Sequence, residues 1–384
     1  MASFVEKMKK IKWKRYVNYI AVSFALLLFS SLSLAGSMKQ SSLYLLEKMG
    51  IAIILSVSLG LVVGFLGELS LGHAGFMCIG AYLGGKTAVI LSGIGLGTGI
   101  VNLLISVVVG ALTAAVMGFV VGLPALRLKG DYLAIVTLAF CEIVKTIFQN
   151  SSDESFGGPM GLRTPRFDKN YLFIVIFVFI LICLAVMQNF IRSKHGRAIT
   201  AIRDNEIAAR ATGINVTKYK LSAFVISAAF AGIAGVMYSF ANSTVSPVVF
   251  DYNYSIEILV MVVLGGMGNI SGGMISAVVI TFLNVKLTTV LSGENAVLKD
   301  IVYALVLVLI VIYNNAPALK YVREKYNLKA LINRILKKNS DVSHDGDDEG
   351  KWDRVPTKIK MDELLSVDMV VRESVVDPDK EVKE

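Results

Sequence analysis

Residues 70–87 read "SLGHAGFMCIGAYLGGKT", and within them 80–87 fit the pattern G-x-x-x-x-G-K-[ST]. In many ATPases that pattern is the loop that cradles nucleotide phosphates. It works there because it joins a strand to a helix, so that backbone N–H groups converge on the phosphates and the lysine adds a point charge. Here the residues ahead of the pattern belong to an apolar run of membrane length. The best candidate for a strand ending on a magnesium-binding aspartate, "PVVFD" at 247–251, is short and carries a proline. The glycines have a simpler use. Gly80 and Gly84 form G-x-x-x-G, a spacing that lets membrane helices pack closely, and Lys86 then marks a membrane boundary. The stretch is a packing segment, and the chain carries no ATPase site of its own.

Composition agrees. Of 384 residues, 55% are hydrophobic and only 17% charged, too few charges to cover a soluble protein of this length. Apolar runs of about 20 residues, enough to span a bilayer, recur along the chain. The expected fold is an all-α polytopic membrane protein with about ten transmembrane or re-entrant helices. A basic N-terminus, 1–15, precedes a membrane domain at 16–316. The expected spans are 16–38, 49–67, a glycine-rich 69–85, 99–122 after an outer loop near "SGIGLGTG", 132–148, 171–190 and 221–242. "IEILVMVVLGGMGNISGGMISAVVITFLNV" reads as two helices joined by a tight turn, or one broken helix. A last span lies within 300–316. "SLAGS" offers a signal-peptide cleavage site as a rival reading of the first run, but the parity of the loops favours a retained helix.

The net charge is +9. With the N-terminus in the cytoplasm, the basic loops "RLKGD" and "IRSKHGRAITAIR" and the segment "KYVREKY" fall on the same side, as the positive-inside rule expects. The C-terminus is then cytoplasmic too. This bias accounts for the positive charge without a nucleic-acid partner, and the lipid bilayer is the expected environment. The tail 317–384 turns acidic after 341 and has a disorder-prone composition; "MDELLSVDMVV" within it reads as a short docking helix or as solvated chain. The three cysteines, Cys78, Cys141 and Cys183, and the three histidines, His73, His195 and His344, show no metal-ligand spacing.

"DNEIAARATGI", 204–214, is the most informative polar segment. Asp204 or Asn205 suits a helix start by accepting backbone N–H bonds. Glu206 in the first turn favours the dipole, and Ala208, Ala209 and Ala211 favour helix. Gly213 suits a left-handed end. Glu206, Ala209 and Gly213 share one face, where small residues would admit a partner protein. An ordinary connecting helix is the alternative.

"EIAARATG" resembles the E-A-A-x-x-x-G signature of bacterial ATP-binding-cassette importer permeases, with Ile207 inserted after the glutamate. The fuller run 196–238 resembles the branched-chain amino-acid permeases of that superfamily. So do "SLGHAGF", "LRLKGDYLAIVTLAF", "GGPMGL" and "VLGGMGNISGG", which occur in the family's order. The resemblance implies a non-enzymatic permease subunit in the bacterial cytoplasmic membrane that imports branched-chain amino acids. Its implied partners are a second, related permease, two cytoplasmic ATPase subunits that use ATP and magnesium, and an extracytoplasmic substrate-binding protein. No cofactor is implied for this chain. The resemblance places the ATPase-coupling loop at about 192–218, with Arg203, Asp204, Asn205, Glu206, Ala208, Ala209 and Gly213. It puts "GGPMGL", with Gly157, Gly158 and Gly161, where a binding protein would dock. Two departures stand out: Glu68, where a neutral residue is expected, and the long acidic tail.

Ionisable residues at membrane depth are costly and point to function. Glu68 and His73 are candidates for the substrate pathway, with Ser70, Tyr132 and Thr137. Glu68 and His73 are five apart, so a regular helix would not align them, and the nearby glycines suggest a broken segment lining a cavity. The opposing reading seats Glu68 at the cytoplasmic interface and makes His73 a packing residue. Asp131 reads as a helix cap, and Glu142 with Lys145 as an internal ion pair. Two alternative functions stay open. One is a sister permease for urea, short amides or another small solute; the other is an ion-coupled secondary transporter using Glu68 or His73, against which the docking-like loop argues.

Overall fold

The computed structural model describes residues 17–34, 39–97, 99–128 and 130–290, with Ala304, Leu305 and Val308. The basic segment 1–15, the rest of the last expected span and the tail 317–384 lie outside the described residues. What is described is a bundle of apolar helices. In chain order they are α1 (Val17–Leu34), α2 (Gln40–Leu66), α3 (His73–Gly95), α4 (Ile100–Ala125), α5 (Asp131–Gln149) and α6 (Lys169–Arg192). They continue with α7 (Lys194–Asp204), α8 (Glu206–Ala211), α9 (Val216–Ala241), α10 (Tyr252–Leu264) and α11 (Ile270–Val290). Among the described residues, six helices are long and apolar enough to cross a membrane: α2, α3, α4, α6, α9 and α11; α1 and α10 are shorter apolar helices.

Three boundaries differ from expectation. α2 begins at Gln40 rather than at 49, taking Glu47 and Lys48 into the helix. Lys48 sets its ammonium 4.8 Å from the ring of Tyr44, one turn earlier, so its stem covers apolar surface while the charge sits on an aromatic face. The third span runs from His73 to Gly95, not 69–85. α2 widens into a π-type turn at Leu61–Leu66 and stops at Gly67, whose φ of +79° suits a residue without a Cβ. A non-helical link, 67–72, then precedes α3. Asp131 is the first residue of α5 and not its cap; Gly130 holds the cap position, without a side-chain hydrogen bond.

α9 is the centre of the bundle, packed on α2, α3 and α4. Glycines set its closest approaches. A Cβ added to Gly80 would fall on the carbonyl of Gly232, and one added to Gly232 would meet the carbonyl of Gly110. Helices α3, α9 and α4 therefore meet backbone to backbone at one crossing, as small residues permit in membranes. The residues of the nucleotide-loop pattern are helical throughout, with Gly80 and Gly84 buried in π-type turn Gly80–Gly84. Cys78, Cys141 and Cys183 are all buried.

The glycine-rich run near 265 forms two helices and a turn. Asp251 Oδ1 accepts the Tyr254 N–H at 3.0 Å to start α10, and Gly266 and Gly268 adopt φ of +87° and +83° in the turn. At 13 residues, α10 is about 20 Å long, short of the roughly 30 Å of a hydrocarbon core. The chain before it alternates between exposed residues, such as Val248, and buried anchors. Phe250 is fully buried there, its carbonyl accepts from Cys141 Sγ at 3.6 Å, and Tyr82 donates to the Val245 carbonyl at 2.8 Å. A two-residue ribbon, β1 (Leu162–Arg163) with β2 (Thr244–Val245), pairs antiparallel beside it.

Candidate functional site

α7, α8 and the start of α9 form a small unit at the end of the bundle where α2 stops. Ser193 Oγ accepts the N–H groups of His195 and Gly196 to begin α7. The chain then extends for one residue at Asn205, whose Oδ1 accepts the Ala208 N–H at 3.0 Å and starts α8. Of the two expected caps, Asn205 holds the position, while Asp204 pairs with Arg203 at 3.1 Å. Gly213 ends the helix at φ +84°. Asn215 Oδ1 caps α9 through the Lys218 N–H. Ile202, Ala209 and Val216 bury together as a separate apolar cluster, with Ile214 and Tyr219 against it.

Of the expected docking face, Glu206 and Ala209 turn inward while Gly213 is exposed. Ala209 is buried, and Glu206 points towards α9. Two causes act together: Ala209 is the small residue that fits over Ile202 and Val216, and the Glu206 carboxylate meets a buried cation. The face that looks outward carries Ile207, Ala208, Arg210 and Ala211, with Ile207 80% exposed.

That cation is Lys220, in the first turn of α9. Its Nζ lies 2.5 Å from Glu68 Oε1 and 3.2 Å from Glu206 Oε2, and Arg210 pairs with Glu206 Oε1 at 2.8 Å. The Lys220 side chain is 5% exposed and that of Glu68 13%. A desolvated ammonium is tolerated only with close, oriented partners, and two carboxylates supply them. A second tie lies alongside. Arg203 Nη1 donates to the Gly64 carbonyl at 3.0 Å, taking one of the carbonyls left open at the end of α2. Its stem lies on Gly67, where a Cβ would meet Arg203 Cγ at 2.6 Å. The α7–α8 unit is thus fastened to the end of α2 at two points.

The five residues expected to line a substrate pathway have different surroundings. Glu68 faces Lys220. His73 is buried, its Nε2 2.8 Å from Ser58 Oγ, and the Ser58 carbonyl accepts from Ser227 Oγ at 2.6 Å. Thr137 is buried and its Oγ1 accepts the Leu71 N–H at 3.0 Å, while a Cβ at Gly72 would press on the Thr137 carbonyl. Thr137 therefore holds the 67–72 link in place. Ser70 Oγ is buried without a hydrogen-bond partner. Tyr132, on the same helix as Thr137, is 70% exposed. Gly157, Gly158 and Gly161 all have positive φ, from +48° to +85°. They shape a turn whose Gly161 backs onto the Val245 carbonyl. Glu142 and Lys145 pair at 2.8 Å.

Lys86, the lysine of the nucleotide-loop pattern, donates to the Glu154 carbonyl at 3.1 Å and lies 5.9 Å from the Phe156 ring. It ties down the one-turn helix Asp153–Phe156. An exposed contact of this kind contributes at most about 1 kcal/mol, so Lys86→Ala should leave thermal unfolding in detergent close to wild type; loss of folded protein would contradict that assignment.

Lys220 and the Arg203–Gly64 tie were not legible beforehand. Lys220 sits one residue before the span expected from 221, where hydropathy does not distinguish it from a charge at a membrane edge. The usable signal was a lysine near the start of an apolar helix, two residues after Lys218 and within reach of the Glu206 segment.

A family model described as "Branched-chain amino acid transport system / permease component" matches residues 41–311. The chain is 38% identical over 254 residues to the high-affinity branched-chain amino acid transport system permease protein LivM of Escherichia coli K12, covering 57% of each chain. It is 37% identical over 265 residues to LivM of Salmonella typhimurium, covering 60% of each. To a probable branched-chain amino acid transport permease protein LivM of Methanocaldococcus jannaschii it is 28% identical over 308 residues, covering 69% of this chain and 89% of the relative. The matched part thus spans less than two thirds of the two bacterial relatives. No solved structure gives a significant match.

Proposed function

The chain belongs to the family of permease components of branched-chain amino acid transport systems, and from that premise we propose that it is the transmembrane subunit of an ATP-driven importer of branched-chain amino acids. In this reading it forms the translocation path with a second, related permease. Two separate ATPase subunits use ATP and magnesium on the cytoplasmic side, and an extracytoplasmic binding protein delivers substrate. Both termini and the α7–α8 unit face the cytoplasm, and the Gly157–Gly158–Gly161 turn faces the binding protein.

The observation that carries the reading is the seating of α8. One face is fastened inward through Glu206 and Ala209, and the other presents Ile207 among small residues (Ala208 and Ala211). A helix held on one side and offering an exposed isoleucine on the other is suited to dock into a groove of a partner. The two ties to the end of α2 give a displacement of α8 a direct route into the membrane domain. Glu68 held by Lys220 and His73 against Ser58 favour this role over a proton site in an ion-coupled transporter.

Ile207→Asp tests the docking. The side chain contacts solvent in the isolated chain, so folding should be unaffected, while a desolvated carboxylate in a partner groove should weaken ATPase association by about 2 kcal/mol or more. Co-purification of the ATPase subunits and leucine uptake should both fall. Unchanged uptake and co-purification would remove the docking claim. Substrate class is tested with the complete wild-type transporter by ATP-dependent uptake of leucine, isoleucine, valine, alanine and urea; preference for urea would overturn the amino-acid assignment.

A further inference from the structure

At the end of the bundle away from α8, residues of α2, α9, α10 and α11 line a cleft of about 550 Å³. α2 ends at Leu66, beside the Glu68–Lys220 tie that marks one edge of the bilayer. Lys48 lies about 18 residues back along the helix, or about 27 Å, close to the roughly 30 Å of a hydrocarbon core. It therefore sits at the opposite edge, at the level of lipid headgroups. α2 and α11 touch where Ser56 Oγ donates to the Gly273 carbonyl at 3.1 Å. Lys48 on α2 and Thr281 on α11 each lie about eight residues beyond that contact, or about 12 Å, so both reach the cleft at a similar depth.

Both side chains lack what burial calls for. Among the described residues no carboxylate pairs with Lys48, whose ammonium rests on the Tyr44 ring, 4.8 Å from the centroid. Thr281 is 8% exposed and its Oγ1 has no hydrogen-bond partner, a costly state for a buried hydroxyl. Glu257 also lines the cleft, but Asn284 Nδ2 already donates to its Oε1 at 2.9 Å. The walls are graded. Ser41 and Thr288 stand exposed at the mouth, and Ile51 and Met261 are buried at the floor.

We propose that the cleft holds one glycerophospholipid from the leaflet at that edge. Its phosphate meets the Lys48 ammonium, a glycerol-ester carbonyl accepts from the Thr281 hydroxyl, and one acyl chain runs inward over Ile51 and Met261. The lysine stem carries its charge to Tyr44, one turn nearer the mouth, as long basic side chains do at an interface. The threonine hydroxyl stays at its own level. A cation outside and a hydroxyl inside match the order of phosphate and ester in a lipid, and basic pockets between membrane helices suit phosphate headgroups. Water in the cleft would satisfy Thr281 but wet the apolar floor. A purely apolar occupant would leave both polar groups unmet. The inference needs only a bilayer around the bundle and does not depend on which solute is transported.

The test incubates delipidated full-length protein with dioleoyl phosphatidylethanolamine, with dioleoylglycerol, which lacks the phosphate, or with glycerophosphoethanolamine, which lacks the chains. Native mass spectrometry counts what is retained. Wild-type protein should keep one phospholipid, hold dioleoylglycerol about tenfold less well and lose the headgroup alone. Lys48→Met should weaken the phospholipid about tenfold and leave dioleoylglycerol unchanged. Thr281→Val, which keeps the volume, should weaken both diacyl ligands about threefold, since both carry the ester. Lys286, whose ammonium lies 5.8 Å from the Phe282 ring and off the cleft, supplies the control; Lys286→Met should retain lipid as wild type does. Equal losses in Lys48→Met and Lys286→Met, or unaltered retention in Lys48→Met and Thr281→Val, would overturn the site. So would firm retention of the headgroup alone, which would make it an anion site, or displacement of the lipid by a second protein chain. Thermal unfolding before lipid is added separates folding from binding. Thr281→Val removes a hydroxyl without a partner and should melt no lower than wild type; a merely structural role would lower melting and the retention of every ligand together, which also overturns the proposal.

Discussion

In the proposed importer, Lys220→Met should abolish ATP-driven uptake and lower the stability of the solubilised protein by about 3 kcal/mol, the cost of stranding buried charges when their partner is removed. The lysine is shared by Glu68 and Glu206. Glu206 keeps Arg210 when Lys220 is gone, but Glu68 sits at the end of the α2–α3 link, 13% exposed, and Lys220 is the cation placed beside it. Methionine matches the lysine stem in shape, so the loss isolates the charge and not the packing. Two measurements check it: thermal unfolding in detergent and uptake per ATP hydrolysed. Lys220→Arg should retain both, because a guanidinium reaches two carboxylates at once. A Lys220→Met protein with wild-type melting and uptake would show that the tie is incidental.

Gly80→Leu should prevent assembly altogether. The added Cβ meets the carbonyl and Cα of Gly232, which are backbone, so no rotamer relieves the clash and α3 must move off α9. Overpacking of this kind costs about 3 kcal/mol or more. Because Gly110 of α4 lies against the same crossing, the displacement reaches three helices. The readout is the yield of monodisperse protein after extraction from membranes. Gly93→Leu is the control: a Cβ there has nothing within 4 Å, and yield should be normal. Equal yields from the two variants would refute backbone contact at the α3–α9–α4 crossing.

The parts of this architecture that local chemistry decides could be read from the sequence. Asn205 and Gly213 bracket α8 because an amide side chain and a left-handed glycine act on the backbone beside them. The nucleotide-loop pattern is explained by similarly local chemistry, since residues 70–79 are too continuously apolar to end a strand, and from His73 onward they form the first turns of α3. What depended on distant partners was not readable. The face of α8 that turns inward is decided by Lys220 and, through it, by Glu68, which is 152 residues away from that lysine. The start of α3 at His73 depends on Thr137 of α5 gripping the Leu71 N–H of the link, a contact that hydropathy cannot register; leucine and serine at 69–71 look as apolar as a span.

The burial of every cysteine in the chain has a practical consequence. Cys78, Cys141 and Cys183 lie where neither water nor reagent reaches them, and a buried thiol reacts slowly. The natural protein is therefore a low-background substrate for thiol labelling. A single Ile207→Cys substitution would add one accessible sulfur on the outward face of α8. The rate at which a maleimide modifies it, with and without the ATPase subunits of the proposed importer, would report whether that position becomes covered, without first stripping the chain of its own cysteines.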